Sequence, residues 1–450
     1  MKSFNKYGIA IPKILLPKNI ETSTWSVVAC DQYTQDREYW KKVEETVSTK
    51  NSTLNLILPE VYLNDSDKTQ RIEKIKSTMN EYITNNVFQD EQSQFIYLER
   101  TTAYGRIRHG LMACIDLDSY EWKPFSKALI RATEATILER IPPRMEIRRN
   151  APIESPHIML LVNDPNHCLV EKTGELVKEL GINPCYDGEL MQNSGSIVGY
   201  PVSNDEILSK IELSLEKIAK DNTDSEGNVF MFAVGDGNHS LATAKAIWAE
   251  VKSQNGGTKL EDGTISIPKG FENHNARYAL IEIVNIFDTG LTFEPIHRVL
   301  FNINEENLIE KIKSSLSGSI RELASKDELI SNIKNSNASF GFVYNKNSSQ
   351  KFILLETPIK ELAVSRIQPV IDDFLTETNA DKEQIDYIHG TDEVFRLGSK
   401  ENTVSILLPP VAKESFFATI NNRGPLPRKS FSMGEADEKR FYLECRKLFS

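Results

Sequence analysis

The sequence predicts an α+β protein, because helices and strands are mixed along the chain without a regular βαβ period. Residues 206–219 have apolar side chains at helical spacing, whereas residues 228–234 form a short apolar run that is typical of a buried strand. This strand runs directly into a glycine-rich polar turn at residues 235–240, and a second helix follows. The sequence therefore places a polar junction between two strongly predicted elements.

The composition argues against two classes of protein. The 450 residues contain 53 Lys and Arg against 64 Asp and Glu, so the formal net charge is −11, whereas a general nucleic-acid binder carries a basic patch or a basic domain. No apolar stretch approaches the roughly 18 residues that a membrane span needs, and the first residues lack the apolar core and cleavage site of a signal peptide. We expect a cytoplasmic protein that binds neither nucleic acid nor membrane.

Cysteine and histidine spacing argues against a zinc site. The five cysteines are scattered and form no C-x-x-C pair, which is typical of reduced thiols in a cytosolic protein. The seven histidines show no H-E-x-x-H or similar spacing. A zinc enzyme with Cys or His ligands is therefore not expected.

Length and changes in composition predict four regions. They are an N-terminal α+β region (1–125), a core with the glycine-rich turn (126–300), a smaller α/β subdomain (301–385) and a C-terminal segment (386–450) that returns to the turn. Pro142 and Pro143 are expected to end a helix, and 252–275 reads as a surface loop. We predict helices at 37–47, 126–140, 206–219, 241–251 and 435–448, and strands at 25–33, 94–117 (a hairpin), 157–162, 228–234, 277–286, 339–344 and 351–355.

The turn is the first candidate site, with the sequence Gly235-Asp236-Gly237-Asn238-His239-Ser240. Glycines let the backbone turn sharply and approach a ligand closely. If Ser240 caps the helix that follows, the first amide groups and the helix dipole form an anion site. Asp236 can hold a divalent cation or accept a proton, and His239 can donate to phosphate oxygens or act as an acid or base.

The turn does not match two common phosphate-binding motifs. It is not a Walker A loop, since the chain has no G-x-x-x-x-G-K-[ST], and it is not a dinucleotide fingerprint, since Ser240 stands where the third glycine belongs. A tight turn whose polar residues merely cap a helix remains the alternative. The combination of Asp, Asn and His exceeds what capping requires.

A second candidate site lies at residues 131–149, where five Arg accompany three Glu. In the predicted helix, Arg131 and Glu134 share a face as i and i+3. An arginine fork binds phosphate or carboxylate oxygens, and a glutamate can deprotonate a hydroxyl, so Arg131, Thr133 and Arg144 are candidates for substrate binding. A solvated helix face with intrahelical ion pairs explains the same pattern and stays open.

Weaker candidates follow in the C-terminal half. Arg428, Lys429 and Ser430 lie in a segment punctuated by Pro and Gly that could close over a phosphate. His389 is a further polar candidate with little support from its surroundings.

Residues 230–245 resemble the Asp-Gly-His-His-Arg box of a bacterial and archaeal family that has been classified as a domain of unknown function. Residues 25–33, 131–144, 156–160 and 427–434 are also similar to that family, so the resemblance covers nearly the whole chain. The family includes pyrophosphate-dependent serine kinases. The box also resembles that of the ParB/sulfiredoxin-like fold, which is used by an ADP-dependent free serine kinase.

The resemblance implies a ParB/sulfiredoxin-like catalytic core and a reaction in which L-serine receives a phosphoryl group from inorganic pyrophosphate, in serine and cysteine metabolism. Asp236 matches the box Asp and would bind Mg²⁺ or orient the serine hydroxyl. His239 matches the box His and would stabilise charge on the transferring group. Asn238 and Ser240 depart from the box, which has His and Arg there. Glu134 is the candidate base, or a group that holds the serine ammonium.

Three alternatives stay open. The protein could use a nucleotide donor, or it could hydrolyse phosphoserine, on the same fold. It could also be a non-enzymatic ParB-like regulatory module, although the acidic net charge disfavours DNA binding.

Overall fold

The structure, a computed structural model, describes residues 4–378 and 384–449, and the chain divides into two units. The first unit comprises Met1–Leu291 with Glu435–Ser450, and the second comprises Thr292–Gly434. This division differs from the four expected regions. One sheet runs through both 1–125 and 126–300, so no boundary separates these two regions.

The helices of the first unit are α1 (Thr22–Trp25), α2 (Arg37–Val47), α3 (Lys68–Thr84), α4 (Ile141–Arg148), α5 (Val170–Glu179), α6 (Asp205–Asp221) and α7 (Asn238–Gln254). Those of the second unit are α8 (Glu305–Ser315), α9 (Lys326–Lys334), α10 (Ala363–Glu377), α11 (Thr391–Gly398) and α12 (Lys413–Arg423). None of the helices in the described parts of the chain combines the length and apolar character needed to cross a membrane.

The strands before α8 are β1 (Ile9–Ala10), β2 (Lys13–Ile14), β3 (Val27–Val28), β4 (Gln92–Ser93), β5 (Phe95–Thr102), β6 (Ile107–Asp116), β7 (Tyr120–Glu121), β8 (Ile130–Ala132), β9 (Ile153–Glu154), β10 (Met159–Val162), β11 (Tyr186–Glu189), β12 (Gly195–Val202), β13 (Phe232–Asp236), β14 (Tyr278–Asn285), β15 (Glu294–Pro295) and β16 (His297–Phe301). The later strands are β17 (Ser319–Glu322), β18 (Ser339–Lys346), β19 (Ser349–Glu356), β20 (Ile385–Ile388), β21 (Thr403–Leu407), β22 (Phe431–Ser432), β23 (Phe441–Tyr442) and β24 (Arg446–Lys447).

A large mixed sheet forms the centre of the first unit. Its strand order is β11-β12-β5-β6-β14-β10-β13-β8-β7, and β1 pairs with β6. β13 lies between an antiparallel neighbour, β10, and a parallel neighbour, β8. Its residues from Phe232 to Val234 are fully buried, which explains the continuous apolar run in the sequence. This strand ends at the glycine-rich turn, so an interior strand of the sheet positions the candidate site.

The second unit has its own antiparallel sheet, with the order β17-β19-β18-β21-β16-β20 in the described residues. α9 packs on β18 and β19, and α11 packs on β21. Helices and strands are thus mixed in both units, which confirms the prediction of an α+β protein. The ParB/sulfiredoxin-like assignment stays a prediction.

Most predicted elements are confirmed where local pattern and burial agree. The helix at 37–47 has the predicted bounds, and the hairpin at 94–117 is the pair β5 and β6. The strands predicted at 157–162 and 277–286 are β10 and β14, and the helix at 206–219 is α6. The loop at 252–275 contains a single β-bridge, between Lys259 and Ile265.

The helix predicted at 126–140 is wrong. Ile130–Ala132 form β8, a strand between β13 and β7 in which all three residues are buried. A run of three residues is too short for its spacing to distinguish a strand from a helix. Pro142 and Pro143 lie in the first turn of α4 instead of ending a helix. Proline is tolerated there because the amides of the first turn have no acceptor within the helix. Arg131 and Glu134 therefore do not share a helix face.

The charged helix predicted at 435–448 is also wrong. After a short 3-10 turn at Ala436–Glu438, the chain forms β23, which pairs with β3, and β24, which pairs with β9. The charged residues of this segment are not a solvated face, since Arg440 and Glu444 are almost fully buried.

A buried ion cluster joins this segment to the large sheet. Glu282 of β14 is 0% exposed, and its carboxylate lies 3.0 Å from Nη1 of Arg440 and 3.6 Å from Nε of Arg108. Arg440 also pairs with Glu444, which accepts a hydrogen bond from the Tyr186 hydroxyl at 2.5 Å. Paired in this way, the buried charges fix the C-terminal segment on the sheet.

We predict that Glu282→Gln lowers the free energy of unfolding by about 3–5 kcal/mol, because the substitution removes the buried negative charge that Arg108 and Arg440 share and leaves Arg440 only its pair with Glu444. Chemical denaturation measures the change. Asp221→Asn on α6 is the control, since this carboxylate pairs with Lys217 at the surface, and it should change the free energy by no more than about 0.5 kcal/mol. A loss below about 1 kcal/mol for Glu282→Gln contradicts the anchoring role.

Candidate functional site

One residue, Gly237, separates strand β13 from helix α7. Its φ of +79° is in the left-handed region, and a Cβ added there would lie 3.0 Å from the side chain of Ile158. Both constraints favour glycine at this position. The strand therefore turns into the helix within a single residue, which places Asp236 and Asn238 side by side at the junction.

The N-terminus of α7 has no side-chain cap. Its N-cap residue is Gly237, and the first bond of the helix runs from the Leu241 amide to the Gly237 carbonyl at 2.9 Å. The amides of residues 238–240 thus belong to the first turn, whose partial positive charge attracts anions. The helix was expected to begin at Leu241 with Ser240 as its cap. That expectation is wrong, because the left-handed glycine starts the helix three residues earlier.

Asp236 and Lys439 meet beside this helix end. Oδ1 of Asp236 accepts a hydrogen bond from the Gly237 amide at 2.8 Å, and Oδ2 lies 3.5 Å from Nζ of Lys439. Both side chains are largely buried. A carboxylate and an ammonium group therefore flank the position that an anion would take.

Two arginines of the hairpin hold the backbone that precedes Lys439. Arg100 donates to the carbonyl of Asp437 at 3.0 Å, and Arg108 donates to the carbonyl of Glu438 at 2.9 Å. The position of Lys439 is thus fixed by contacts far from it in sequence. No local pattern marks Lys439, because the residues around it resemble an ordinary charged surface segment.

Asp31 and His157 form a second acid–base pair at the site. Oδ2 of Asp31 lies 3.9 Å from Nε2 of His157. Burial opposes ionisation of Asp31, but the positive charge of His157 in acid, a hydrogen bond from Gln32 and the charge of Lys439 together lower the pKa of this carboxyl. Asp31 is therefore ionised at neutral pH. Sequence reasoning did not single out Asp31 or His157, which come together only in the fold.

His239 is neutral at physiological pH. Its Nε2 accepts a hydrogen bond from the Ile137 amide at 3.2 Å, which leaves the ring proton on Nδ1. Burial, with the positive charges of Arg144 and Arg140, lowers the pKa of His239 to about 4. This imidazole can therefore donate a hydrogen bond at neutral pH without carrying charge.

Thr133 and Asn238 have a supporting role in the structure. Oδ1 of Asn238 accepts from the Thr133 amide at 3.3 Å, and the Thr133 hydroxyl donates to the Val234 carbonyl at 2.6 Å. Thr133 is fully buried. These bonds tie the end of β8 to the start of α7.

Three further candidates of the first unit, Arg131, Glu134 and Arg144, have different surroundings. Arg131 is buried with its guanidinium over the Phe230 ring, at 4.3 Å, and Nε donates to the Ala128 carbonyl at 2.8 Å. Arg144 lies close enough to His239 to affect its pKa, and it pairs with Glu60. Glu134 is half-buried, two residues after β8. The structure thus brings Arg144 to the site and gives Arg131 structural partners.

Four predicted residues belong to the second unit. Arg428 and Lys429 are exposed, and the Arg428 guanidinium lies 5.6 Å from the centre of the Tyr387 ring. The Ser430 hydroxyl donates to the Pro427 carbonyl at 2.5 Å. His389 is exposed and directly follows β20.

The chemistry of Asp236 suits a magnesium ion that arrives with a phosphate. Among residues 4–378 and 384–449, no group of three or more His, Cys, Asp or Glu side chains could hold a metal by itself. Within the described residues, no backbone amide donates to Oδ2 of Asp236, and Nζ of Lys439 lies 3.5 Å from this oxygen. Mg²⁺ accepts one or two carboxylates and takes its other ligands from phosphate and water.

The chain matches the protein family described as "Protein of unknown function (DUF1015)" over residues 13–374. The protein belongs to this family. No curated protein matches the chain. The family membership agrees with the resemblance seen in the glycine-rich turn. The description of the family assigns no function to this DUF1015 protein.

Several solved structures share a weak likeness with this DUF1015 protein. A mutant free serine kinase in complex with AMP is 11% identical, covers 75% of this chain and 92% of its own, and gives a TM-score of 0.38. The complex of a mutant free serine kinase with ADP gives 0.37 at 11% identity, with the same coverage. SbnI from Staphylococcus aureus, truncated at its C-terminus, gives 0.33 at 7% identity and covers 72% and 83%. TM-scores of this size do not establish a common fold.

We predict that the pKa of His239 lies below the ordinary value of 6.5 and that the pKa of His109 lies above it. A hydrogen bond to Asp288 at 2.8 Å, supported by the charge of that carboxylate, raises the pKa of His109, whereas His239 should titrate near pH 4. NMR titration of the ring protons measures both midpoints.

The sign of the stability effect follows from linkage. The unfolded chain binds a proton at residue 239 below pH 6.5 while the folded chain does not, so this histidine removes stability as the pH falls from 6.5 towards 4. His109 contributes stability below pH 6.5 that is lost as the pH rises through its folded-state pKa. A His239 midpoint at or above 6.5 contradicts the buried, neutral imidazole.

Proposed function

We propose that this DUF1015 protein is a kinase that transfers a phosphoryl group from inorganic pyrophosphate to the hydroxyl of L-serine, with O-phospho-L-serine and phosphate as products. One observation carries the proposal: the N-terminus of α7 is uncapped and is flanked by Asp236, Lys439 and the neutral His239. The resemblance of residues 230–245 to the box of pyrophosphate-dependent serine kinases gives the substrates.

The site suits a phosphate because phosphoryl transfer depends on positioning and on neutralising charge. The amides of residues 238–240 and the helix dipole attract a phosphate group. The Lys439 ammonium adds a full positive charge on one side, and Arg144 adds another near His239. The Nδ1–H of His239 is a donor for a phosphoryl oxygen as charge shifts to the leaving phosphate.

In the proposed reaction the serine hydroxyl oxygen forms a bond to phosphorus, and the bond from phosphorus to the bridging oxygen of pyrophosphate breaks. The hydroxyl proton passes to a carboxylate, and the bridging oxygen leaves with the departing phosphate. Asp236 orients the serine hydroxyl, since its carboxylate accepts from the amide of Gly237, the residue before the helix, at 2.8 Å. Glu134 remains the proposed base, or the group that holds the serine ammonium.

Mg²⁺ belongs to the proposal as a cofactor bound through Asp236 and the substrate. When bound, it would neutralise charge on the phosphate oxygens. The roles proposed from sequence for Gly235, Arg131, His389 and the segment 428–430 in substrate binding remain proposals of the same kind. Gly235 lies at the end of β13, so its contribution would come through its backbone.

A donor and acceptor panel tests the function. Purified protein is incubated with L-serine, Mg²⁺ and one of pyrophosphate, ATP or ADP, and phosphoserine is quantified. We expect product with pyrophosphate. Product with a nucleotide alone, or release of phosphate from phosphoserine alone, would replace this proposal with a nucleotide-dependent kinase or a phosphatase. No turnover in any arm, together with salt-dependent retention on DNA, would favour a ParB-like binding protein.

We predict that Asp236→Asn and His239→Ala each lower turnover by at least about a hundredfold, the usual scale for a positioned acid–base or charge-stabilising group. Steady-state kinetics with pyrophosphate measures the effect, and circular dichroism checks the fold of each variant. Asp221→Asn on the exposed face of α6 is the matched control and should retain full turnover. Unchanged turnover in folded Asp236→Asn protein returns the turn to a purely structural role.

A further inference from the structure

Four polar groups form a chain of contacts behind the first turn of α7. The Cys30 amide donates to the Tyr442 hydroxyl at 3.2 Å, and this hydroxyl lies 2.8 Å from Nδ1 of His157. On the other side of the ring, Nε2 of His157 lies 3.0 Å from Oγ of Ser240. His157 is 8% exposed and Tyr442 is 2% exposed, so solvent reaches little of the pair.

We propose that Tyr442 and His157 are positioning residues that fix the Ser240 hydroxyl as a hydrogen-bond donor to a phosphoryl oxygen bound at the N-terminus of α7. The inference rests on the proposed function and extends it, since it adds a fourth donor to the three amides of the first turn.

The direction of the first bond follows from the charge beside the ring. The carboxylate of Asp31 lies 3.9 Å from Nε2 of His157, which favours a proton on that nitrogen. An imidazole with its single proton on Nε2 has an unprotonated Nδ1, which can only accept a hydrogen bond. The Tyr442 hydroxyl, whose oxygen lies 2.8 Å from Nδ1, therefore donates to it.

The tautomer of His157 then decides the role of Ser240. With Nδ1 as the acceptor, a neutral imidazole carries its proton on Nε2 and donates to Oγ of Ser240. The carboxylate of Asp31 lies 3.9 Å from Nε2, too far for a hydrogen bond but close enough to favour a proton on that nitrogen. The Ser240 oxygen becomes an acceptor on this side, and its own hydrogen is directed elsewhere.

Ser240 is the third residue of α7 and is half-exposed, whereas the His157 ring behind it is buried. Its hydroxyl hydrogen can therefore reach a ligand at the helix N-terminus. A hydroxyl whose hydrogen is directed towards the ligand strengthens binding of a phosphoryl oxygen, which is a hydrogen-bond acceptor. The ligand class that fits is an oxyanion of a phosphate ester, phosphate or pyrophosphate.

Nitrogen NMR of the protein labelled at the histidine rings tests the relay without using activity. The His157 signal is the one that disappears in His157→Gln. At a pH where the imidazole carries a single proton, we expect that proton on Nε2 in the unmodified protein, and a shift of population towards the Nδ1–H form in Tyr442→Phe. A predominant Nδ1–H form in the unmodified protein overturns the relay.

Calorimetric titration with pyrophosphate tests the consequence for binding. Ser240→Ala and Tyr442→Phe should each weaken binding about tenfold, as expected for loss of one hydrogen bond to a charged group. In the Ser240→Ala background, Tyr442→Phe should cost little more, because both changes remove the same donor. Independent, multiplicative losses would show that Tyr442 acts only through general structure, and would overturn the proposal.

Two substitutions at position 157 test whether the position of the N–H donor matters, as distinct from the loss of the imidazole ring. The side-chain amide of Gln can place an N–H near the position of Nε2, whereas that of Asn corresponds to Nδ1. His157→Gln should therefore bind pyrophosphate within about threefold of the unmodified protein, and His157→Asn should lose about tenfold. Equal losses in the two variants contradict the relay.

The outcomes also distinguish this inference from the proposed function. If His157 has its proton on Nε2 and the protein binds pyrophosphate but forms no phosphoserine, the hydrogen-bond relay is supported and the proposed kinase function is contradicted. If the protein forms phosphoserine but His157 has its proton on Nδ1, the kinase function is supported and the relay is contradicted.

Discussion

The amide groups at the N-terminus of α7 lack a side-chain cap because the residue before the helix is a glycine in the left-handed conformation. A Ser, Thr or Asp at that position would bond to these amides itself. Ile158 packs so closely against Gly237 that a side chain there has little room. The same constraint places Asp236 at the edge of the helix end and explains why the anion site and the carboxylate are adjacent.

The side chains around this helix end come from distant parts of the chain. Asp31 follows a short N-terminal strand, His157 precedes β10, and Lys439 and Tyr442 belong to the C-terminal segment. The buried ion cluster at Glu282 fixes that segment on the sheet. The stability of the fold and the geometry of the site therefore depend on the same C-terminal residues, which is unusual for a stretch that looks like a charged surface tail.

Local pattern was sufficient to predict the strand, the turn and the helix of the site, because continuous apolar residues and glycines are properties of neighbouring positions. It failed at Ile130–Ala132, where a strand of three residues resembles one turn of a helix, and at Pro142, which lies in the first turn of α4. It also missed His157, Lys439 and Tyr442. Their roles arise from pairing across hundreds of residues, and a single sequence carries no record of such contacts.

Titration of the isotopically labelled protein with pyrophosphate, followed through backbone amide resonances, measures the central claim most directly. The claim predicts saturable changes that are largest at Asn238, His239 and Ser240, and that are absent with sodium chloride at equal ionic strength. Saturable binding that leaves these three amides unchanged, or no binding at millimolar pyrophosphate, would contradict it.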